Sequence, residues 1–332
     1  MKNTMLKAWL IVPCVLLCCN LQAQDTGAPF VWGINGHPLT QAAYANNWDD
    51  QFNRLKDLQL NSYRFDVLLN ADGIAKKDAL FNKLLNRLKT SGIKPLPVIS
   101  LSGLKGLDST AIYQTSYRQG INFGQRYGSY LSVMEVNNEV DNKIMYKGDR
   151  PGTRASDYDP EKTTRILTGM RGFIDGVKYA VSSVKFTLSV SYTHFYYLEL
   201  LQRYQVNYDI IGCHWYSSMG DITNFRPPFG NILTMLTQKF KKPIWITEFN
   251  YSKGTTYATF AKQNDYITTA IPKILAQKII GGIFIYELYD QPLIRKQYPF
   301  EACYGLLQKD YNGNTIEKGA YQGYKQVVQK YR

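Results

Sequence analysis

The sequence KPIWITEF at residues 242–249 is an apolar run that ends in a glutamate, and seven similar runs occur along the chain. Segments whose apolar residues recur at helical spacing separate these runs. The other seven are FVWGING (30–36), NSYRFDV (61–67), IKPLPVISL (93–101), LSVMEVNN (131–138), KFTLSVS (185–191), YDIIGCHWY (208–216) and GGIFIYEL (281–288). Strands that alternate with helices predict right-handed βαβ units and a parallel sheet. Eight such units in 332 residues predict a (β/α)₈ TIM barrel, an α/β fold, in a single domain.

A doubly wound open sheet is the alternative fold for alternating strands and helices. Such sheets often carry a GxGxxG loop after the first strand, and the sequence GINGHP at 33–38 lacks that spacing. No linker rich in proline or serine divides the chain. We therefore assign residues 24–332 to one barrel domain.

The first 23 residues have the pattern of a secretory signal peptide. Lys2 and Lys7 precede the uncharged run AWLIVPCVLLCC at 8–19, and Ala23 supplies a small residue at the cleavage point. This run is shorter than the roughly 20 apolar residues of a membrane span, and no later segment is longer, so no stable membrane span is expected. We predict a secreted or periplasmic protein cleaved after Ala23. Lipoprotein anchoring through a cysteine at 18–19 is the less favoured alternative.

The formal net charge of +13 comes from cations scattered through helix-like stretches such as KKDALFNKLLNRLK at 76–89. Such stretches are usually solvated helix faces, and no motif supports binding to nucleic acid. Cys213 and Cys303 follow the signal peptide, and Cys213 lies in an apolar run, so we expect free thiols rather than a disulfide. We expect a monomer without a cofactor.

A barrel of this type places its catalytic residues at the carboxyl ends of the strands. The unusual polar and aromatic residues of this sequence fall there, and they are His37, Arg64, Asn138, Glu139, His194, His214, Trp215, Tyr216, Glu248 and Glu287. Glu139 and Glu248 each close a long apolar run, which predicts two carboxylates at the barrel mouth. Strand alternation predicts Ile244, Ile246 and Glu248 on one side of their strand.

The sequences NNE at 137–139 and ITEF at 246–249 resemble the glycoside hydrolases of clan A. That superfamily of (β/α)₈ barrels has a catalytic Asn-Glu on strand 4 and a nucleophilic Glu on strand 7. The arginine of YRFD on strand 2, the HWY of the sixth run and the YELYDQP of strand 8 also fit, and the last is most similar to family 39-type enzymes. The resemblance covers about residues 30–330.

The resemblance implies a retaining glycosidase that cleaves O-glycosidic bonds of an oligo- or polysaccharide by double displacement. Glu248 would be the nucleophile, and Glu139 would be the general acid and then the general base. Its pKa would be raised while Glu248 is anionic. Asn138 would hold the sugar 2-hydroxyl, and Arg64 would keep Glu248 ionised. Tyr216 and His214 would orient Glu248 or the sugar.

Several other residues have two readings each. His37, His194 and Trp215 are candidates for contact with the sugar, and barrel walls also use aromatic residues as core. Glu287 could bind a sugar hydroxyl or form an ion pair. Glu135, in phase with Glu139, is expected to pair with Arg64, because a buried acid needs a partner.

Two other functions remain open at this stage. One is a non-catalytic carbohydrate-binding barrel, which the presence of both glutamates disfavours. The other is a metal-dependent hydrolase that uses His37, His194 and His214. Neither HxH nor HExxH spacing occurs, so no metal site is predicted.

Loop cations suggest one class of carbohydrate substrate. Lys143, Lys147, Arg150 and Arg154 follow the fourth run, and Arg226 follows the sixth. Loops on this face build the substrate cleft, and a cationic cleft would favour acidic glycans. The alternative is that these cations only make the protein surface soluble and do not contact the substrate.

Overall fold

The computed structural model describes residues 29–310 and 312–332. Eight parallel strands pair in sequence order and close on themselves through β1 and β8. Helices lie between consecutive strands, so the predicted single-domain (β/α)₈ barrel is confirmed. The predicted signal peptide lies outside the described residues.

The barrel strands fall within or overlap the eight apolar runs of the sequence. They are β1 (Val31–Gly36), β2 (Ser62–Leu68), β3 (Lys94–Ser100), β4 (Val133–Val136), β5 (Lys185–Ser191), β6 (Ile210–Tyr216), β7 (Ile244–Asn250) and β8 (Ile280–Ile285). A short hairpin of β9 (Leu307–Lys309) and β10 (Thr315–Glu317) follows them. Both faces of a barrel strand are covered, which is why the strands read as continuous apolar runs.

The helices surround the barrel and bury one face each. They are α1 (Ala42–Ala45), α2 (Trp48–Asp57), α3 (Asp78–Thr90), α4 (Ser109–Tyr127), α5 (Val140–Ile144), α6 (Pro160–Ala180), α7 (Tyr196–Arg203), α8 (Ile232–Phe240), α9 (Phe260–Leu275) and α10 (Gly319–Tyr331). Side chains at the start of several helices satisfy free backbone N–H groups, as where Asp159 caps α6 ahead of Pro160.

The lower part of the barrel interior is filled by apolar side chains. Leu96, Val133, Ile210 and Phe284 form this layer, with Trp245 packed against it. Gly33 makes room for it, because a Cβ there would lie 2.1 Å from a ring carbon of Phe284. The polar groups at the carboxyl ends of the strands therefore lie above an apolar layer.

An extra residue in β7 reverses the alternation of that strand. Cys213 pairs with Ile246, but the next residue, His214, pairs with Glu248, so Thr247 has no counterpart on β6. The pairing with β8 shifts over the same stretch. A bulge of this kind turns the following side chain to the other face. The predicted common side for Ile244, Ile246 and Glu248 is therefore wrong, since Ile246 faces the surrounding helices and Glu248 faces the interior.

Cys213 and Cys303 are both buried and unpaired, as predicted. Among the described residues, no helix has the length and apolar character needed to cross a membrane.

Candidate active site

The carboxyl ends of the strands surround a cavity of about 260 Å³. Its walls come from the ends of β1, β2, β3, β4, β6 and β7 and from the segment after β8. Of the ten site residues named from sequence, six line it: His37, Arg64, Asn138, Glu139, Tyr216 and Glu248. The structure thus brings together the two glutamates and the arginine that the sequence singled out.

Arg64 lies at the centre of the polar groups beneath this cavity. Its Nε and Nη2 donate to the two oxygens of Glu135 at 2.8 and 2.9 Å, which confirms the predicted pair. Nη1 donates to Oε1 of Glu248 at 2.8 Å, and Nη2 donates to Oδ1 of Asn138 at 2.8 Å. The bond to Asn138 uses the amide oxygen, so the amide nitrogen is the group that can donate to a ligand.

Glu248 is held by a different donor at each oxygen. Arg64 binds Oε1, and the hydroxyl of Tyr216 donates to Oε2 at 2.6 Å. Glu248 is 5% exposed and lines the cavity. Charge-assisted hydrogen bonds of this kind fix both position and orientation.

Glu139 enters the cavity from a turn with two left-handed residues. Asn137 has φ 57° and Glu139 has φ 46°, and a non-glycine residue in this region is uncommon. Asn137 turns outward, where its side chain accepts from the backbone of Leu101. Because of this turn, Asn138 and Glu139 both reach the cavity although they are adjacent in sequence. Strained backbone of this kind is typical of functional sites.

The carboxylate of Glu139 is surrounded by donors. Burial acts to raise the pKa of Glu139, but His214 at 2.9 Å and the side chains of Ser191 and Asn142 at 3.1 Å outweigh it and lower this pKa to about 2. Burial also acts to lower the pKa of His214, and the charges of Glu248 and Glu139 outweigh that and raise it. The expectation of a raised pKa for Glu139 is therefore wrong. The opposite shifts of the two pKa values favour an ionised Glu139 beside a protonated His214.

His214 is fully buried between the two glutamates. Its Nδ1 lies 2.9 Å from Glu139 and 3.5 Å from Oε2 of Glu248, and its Nε2 lies 3.4 Å from Arg64. It contacts both carboxylates without lining the cavity, so it acts on them rather than on the sugar.

His37 borders the cavity, but both of its ring nitrogens face carboxylates. Nδ1 lies 2.5 Å from Asp66, and Nε2 lies 3.4 Å from Glu287. Burial acts to lower the pKa of His37, and the neighbouring carboxylates outweigh it and raise this pKa to about 10. His37 is therefore a cation at neutral pH, compensated on both sides.

Glu287 does not reach the cavity. It is fully buried behind His37, where it accepts from the hydroxyl of Tyr44 at 2.6 Å and from Gln291 at 2.8 and 2.9 Å. Of its two readings, the ion pair is the one that the structure supports, and the prediction that Glu287 binds sugar is not supported.

Trp215 and His194 also lie away from the cavity. On β6, His214 and Tyr216 face inward, so alternation turns Trp215 outward against Tyr192, where its indole donates to a backbone carbonyl at 2.8 Å. His194 lies in the turn after β5 and packs on Asp141, with Nδ1 2.7 Å from its carboxylate. The predicted sugar contacts of both residues are wrong for this reason.

The separation of His194 also removes the proposed three-histidine metal site. In the described part of the chain, the group whose geometry could hold a metal ion is Glu139, His214 and Glu248, whose ligand atoms lie within 4.8 Å of one another. The imidazole Nδ1 of that group lies within hydrogen-bond distance of Glu139, at 2.9 Å.

Sequence reasoning missed Glu301 and Tyr304, which line the cavity from the segment after β8. The hydroxyl of Tyr286 donates to Glu301 at 3.2 Å. Burial and the charges of Glu248 and Glu287 raise the pKa of Glu301 to about 7. The position of EACY at 301–304, in the segment that follows the last barrel strand, was the available signal, but no periodicity marks it.

The loop cations do not line the cavity. Arg154 pairs with Asp157 at 3.6 Å, and Arg226 donates to the hydroxyl of Tyr192. The cavity itself is lined by four carboxyl groups, those of Asp66, Glu139, Glu248 and Glu301, and its cations Arg64 and His37 are already paired. This charge balance argues against a preference for acidic glycans.

Residues 152–301 match the sequence model of the family described as glycosyl hydrolase catalytic core. The matched part is less than half of the chain and contains Glu248 but not Glu139. It confirms the prediction that the chain is an enzyme of the glycosidase class, with a carbohydrate as substrate. No curated protein sequence matches the chain.

Solved structures that match include glycosidases with the same barrel. A β-glucosidase from Thermotoga maritima in complex with noeuromycin has a TM-score of 0.66 at 14% identity, over 90% of this chain and 97% of that chain. The family 1 β-glucosidase from the same organism gives 0.64 at 14% identity over the same shares. The virulence factor SghA from Agrobacterium tumefaciens gives 0.61 at 12% identity, over 90% of this chain and 96% of that chain. These similarities show the fold, a (β/α)₈ barrel.

Proposed function

We propose that the enzyme is a retaining glycoside hydrolase that uses Glu248 as nucleophile and Glu139 as acid and base. The observation that carries this proposal is the separation of the two carboxylates, of which one oxygen each lies within 4.8 Å of the other. Retaining glycosidases place these groups about 5–5.5 Å apart, whereas inverting enzymes need roughly 6.5–9.5 Å to admit a water. Both groups line the same cavity.

In the first step, a carboxylate oxygen of Glu248 attacks the anomeric carbon of the sugar. The bond from that carbon to the glycosidic oxygen breaks, and its electron pair remains on the oxygen, which takes a proton from Glu139. Tyr216 and Arg64 hold Glu248 in place for the attack. Asn138 is placed to donate its amide N–H to the 2-hydroxyl.

The proton for this step is held by Glu139 and His214 together. Nδ1 of His214 lies 2.9 Å from Glu139, and groups this close titrate as a pair. The lowered pKa of Glu139 and the raised pKa of His214 favour the proton on the imidazole. A glycosidic oxygen next to Glu139 would accept that proton through the carboxyl group, and His214 would become neutral.

In the second step, Glu139 accepts a proton from a water molecule, whose oxygen attacks the anomeric carbon and releases Glu248. Two displacements at the same carbon restore the original anomeric configuration. Proton NMR of the first product formed should therefore show the configuration of the substrate. Product of the opposite configuration would exclude Glu248 as the nucleophile.

Replacing His214 with glutamine should shift the alkaline limb of the kcat/KM profile to lower pH. In the wild type the pair keeps its proton until the pH exceeds the pKa of His214, which is raised above 6.5. Without the imidazole, Glu139 must hold the proton alone, and the ordinary pKa of a glutamate is 4.5. Steady-state rates from pH 4 to 9 measure the shift. An unchanged alkaline limb would show that His214 does not share the catalytic proton.

The size of the cavity favours one sugar ring over a chain. Its volume of about 260 Å³ is below the roughly 300–1,000 Å³ of pockets that bury drug-sized ligands. The similar solved structures include β-glucosidases. We therefore propose a glycoside with a neutral terminal sugar as substrate. We also propose that the enzyme is related to family 39-type glycosidases, which the sequence YELYDQP at 286–292 resembles.

We also propose that the enzyme is exported. The sequence pattern of residues 1–23 supports cleavage after Ala23 and a mature catalytic domain of residues 24–332 that acts as a secreted or periplasmic monomer. The amino-terminal residue of the exported enzyme, expected to be Gln24, tests this.

A further inference from the structure

Glu301 is an acidic wall of the cavity that the two-glutamate mechanism does not use. It belongs to the short helical turn Glu301–Cys303 after β8 and lines the same cavity as Glu139 and Glu248. Its contact is the hydroxyl of Tyr286 at 3.2 Å, and among the described residues it forms no salt bridge. Every other carboxylate that lines the cavity is paired with an arginine or a histidine.

The segment that carries Glu301 is fixed from below by buried polar groups. The carbonyl of Cys303 accepts from the backbone of Thr255 at 2.9 Å and from Nζ of Lys318 at 3.3 Å. The carbonyl of Tyr304 accepts from Asn250 at 2.8 Å and from Gln263 at 3.0 Å. Buried side chains that bond a loop backbone hold the residues on that loop in one place.

The charge of Lys318 is not directed at Glu301. Lys318 is fully buried and donates to Asp290 at 2.7 Å. The carboxyl group of Glu301 is therefore positioned but not neutralised, and its free hydrogen-bonding capacity faces the cavity.

A sugar in this cavity would meet carboxyl groups on several sides. A hydroxyl group can donate to Glu301 when it is ionised and accept from it when it is protonated. A carboxylate on the sugar would instead face Asp66, Glu139, Glu248 and Glu301, while Arg64 and His37 are already paired. Placing a further anion there without a free cation is unfavourable.

We propose that Glu301 is a specificity-determining residue that binds a hydroxyl group of a neutral sugar ring and excludes sugar rings that carry a carboxylate. This proposal rests on the proposed glycosidase mechanism and assigns the substrate class of the same cavity.

The pKa of Glu301, raised to about 7 by burial and by Glu248 and Glu287, makes this selection depend on pH. Below that value the group is neutral, and above it the group is an anion that repels a uronate. The acidic groups around it are Glu139, Glu248, Glu287 and the phenols of Tyr286 and Tyr304. The cations of the adjoining segments are Lys253, whose Nζ lies over the ring of Phe300, and Arg295, which donates to Sγ of Cys303.

The test compares matched pairs of 4-nitrophenyl glycosides, such as glucoside and glucuronide or galactoside and galacturonide, with each pair in both anomeric forms. We expect the wild type to prefer the neutral member of the pair it cleaves, and the preference to grow as the pH rises through about 7. Glu301→Gln should raise KM for the neutral substrate by about tenfold. It should also lower the ratio of kcat/KM for the neutral substrate to kcat/KM for the uronide, and this ratio should no longer depend on pH. Glu317→Gln, at an exposed glutamate of β10, is the control and should behave as the wild type.

The possible outcomes separate the two proposals. A wild type that cleaves the uronide faster, or a ratio that Glu301→Gln leaves unchanged, would overturn the role of Glu301 while the glycosidase mechanism stands. A loss of kcat in Glu301→Gln with KM and the ratio unchanged would also overturn the role in specificity. If the wild type cleaves none of these or other glycosides, the proposed function itself fails.

Discussion

Glu248→Gln should abolish turnover of every glycoside that the enzyme cleaves, with a loss of roughly 10⁴-fold or more in kcat. The glutamine amide has the shape of the carboxylate but cannot form the ester with the sugar. The loss should be equal for good and poor leaving groups, because all of them depend on the same attack. Steady-state kinetics with a series of aryl glycosides measures it.

The fold should survive this substitution for a reason visible around Arg64. Its guanidinium keeps both hydrogen bonds to Glu135, so its buried charge remains compensated when the charge of Glu248 is removed. Thermal unfolding of the variant should therefore remain cooperative. Glu161→Gln, at an exposed glutamate in the first turn of α6, serves as the control for loss of one acid and should leave kcat unchanged. Residual kcat within tenfold of the wild type would show that Glu248 is not the nucleophile.

The barrel was predictable because its pattern is repeated eight times. Each strand is covered on both faces, so it reads as an apolar run, and each helix between strands shows its own periodicity. A polar residue at the end of such a run lies at the carboxyl end of a strand, which is the mouth of the barrel. Glu139, Glu248 and Arg64 were found on this ground, and they meet in the cavity.

The direction and depth of side chains at the mouth were less predictable. The bulge at Thr247 turns Glu248 inward, and the left-handed residues Asn137 and Glu139 bring two neighbouring side chains into one cavity. Such irregularities depend on contacts between distant strands and have no local periodicity. Trp215 was placed at the right strand end but on the wrong face, although regular alternation with His214 and Tyr216 turns it outward. Glu287 was expected at the barrel mouth and is instead fully buried behind His37.

The protonation of Glu139 shows a further limit of sequence reasoning. From the resemblance we expected that the charge of Glu248 would raise the pKa of Glu139. We expected His214 only to orient the sugar or Glu248. In the structure His214 lies between the two glutamates and outweighs their mutual repulsion. The identity of the nearest charge was decisive, and only the meeting of the carboxyl ends of β4, β6 and β7 inside the barrel establishes it.

Glu139→Ala should slow the hydrolysis of a glycoside more when its leaving group is more basic, because a basic leaving group must be protonated to depart. Glycosides with weakly basic phenols leave without a proton, so the first step should change little for them, while poor leaving groups should lose about 10²–10⁴-fold. The second step also loses its base, so the glycosylated Glu248 should accumulate with good leaving groups and give a burst of released phenol. Stopped-flow measurement of phenol release follows both effects.

Azide separates the base role of Glu139 from a purely structural one. In Glu139→Ala the space left by the side chain admits an azide ion, which needs no base, and it should react with the glycosylated Glu248 to give a glycosyl azide of retained configuration. Glu139→Gln is the matched control, because it lacks the acid and base but fills the space, and azide should not accelerate it. Equal losses for all leaving groups, or equal rescue of both variants, would remove Glu139 from this role. Azide beside position 139 can reach a sugar bound to Glu248 only if both residues border one cavity. Glu139 and Glu248 line the same cavity, and an oxygen of each lies within 4.8 Å of the other.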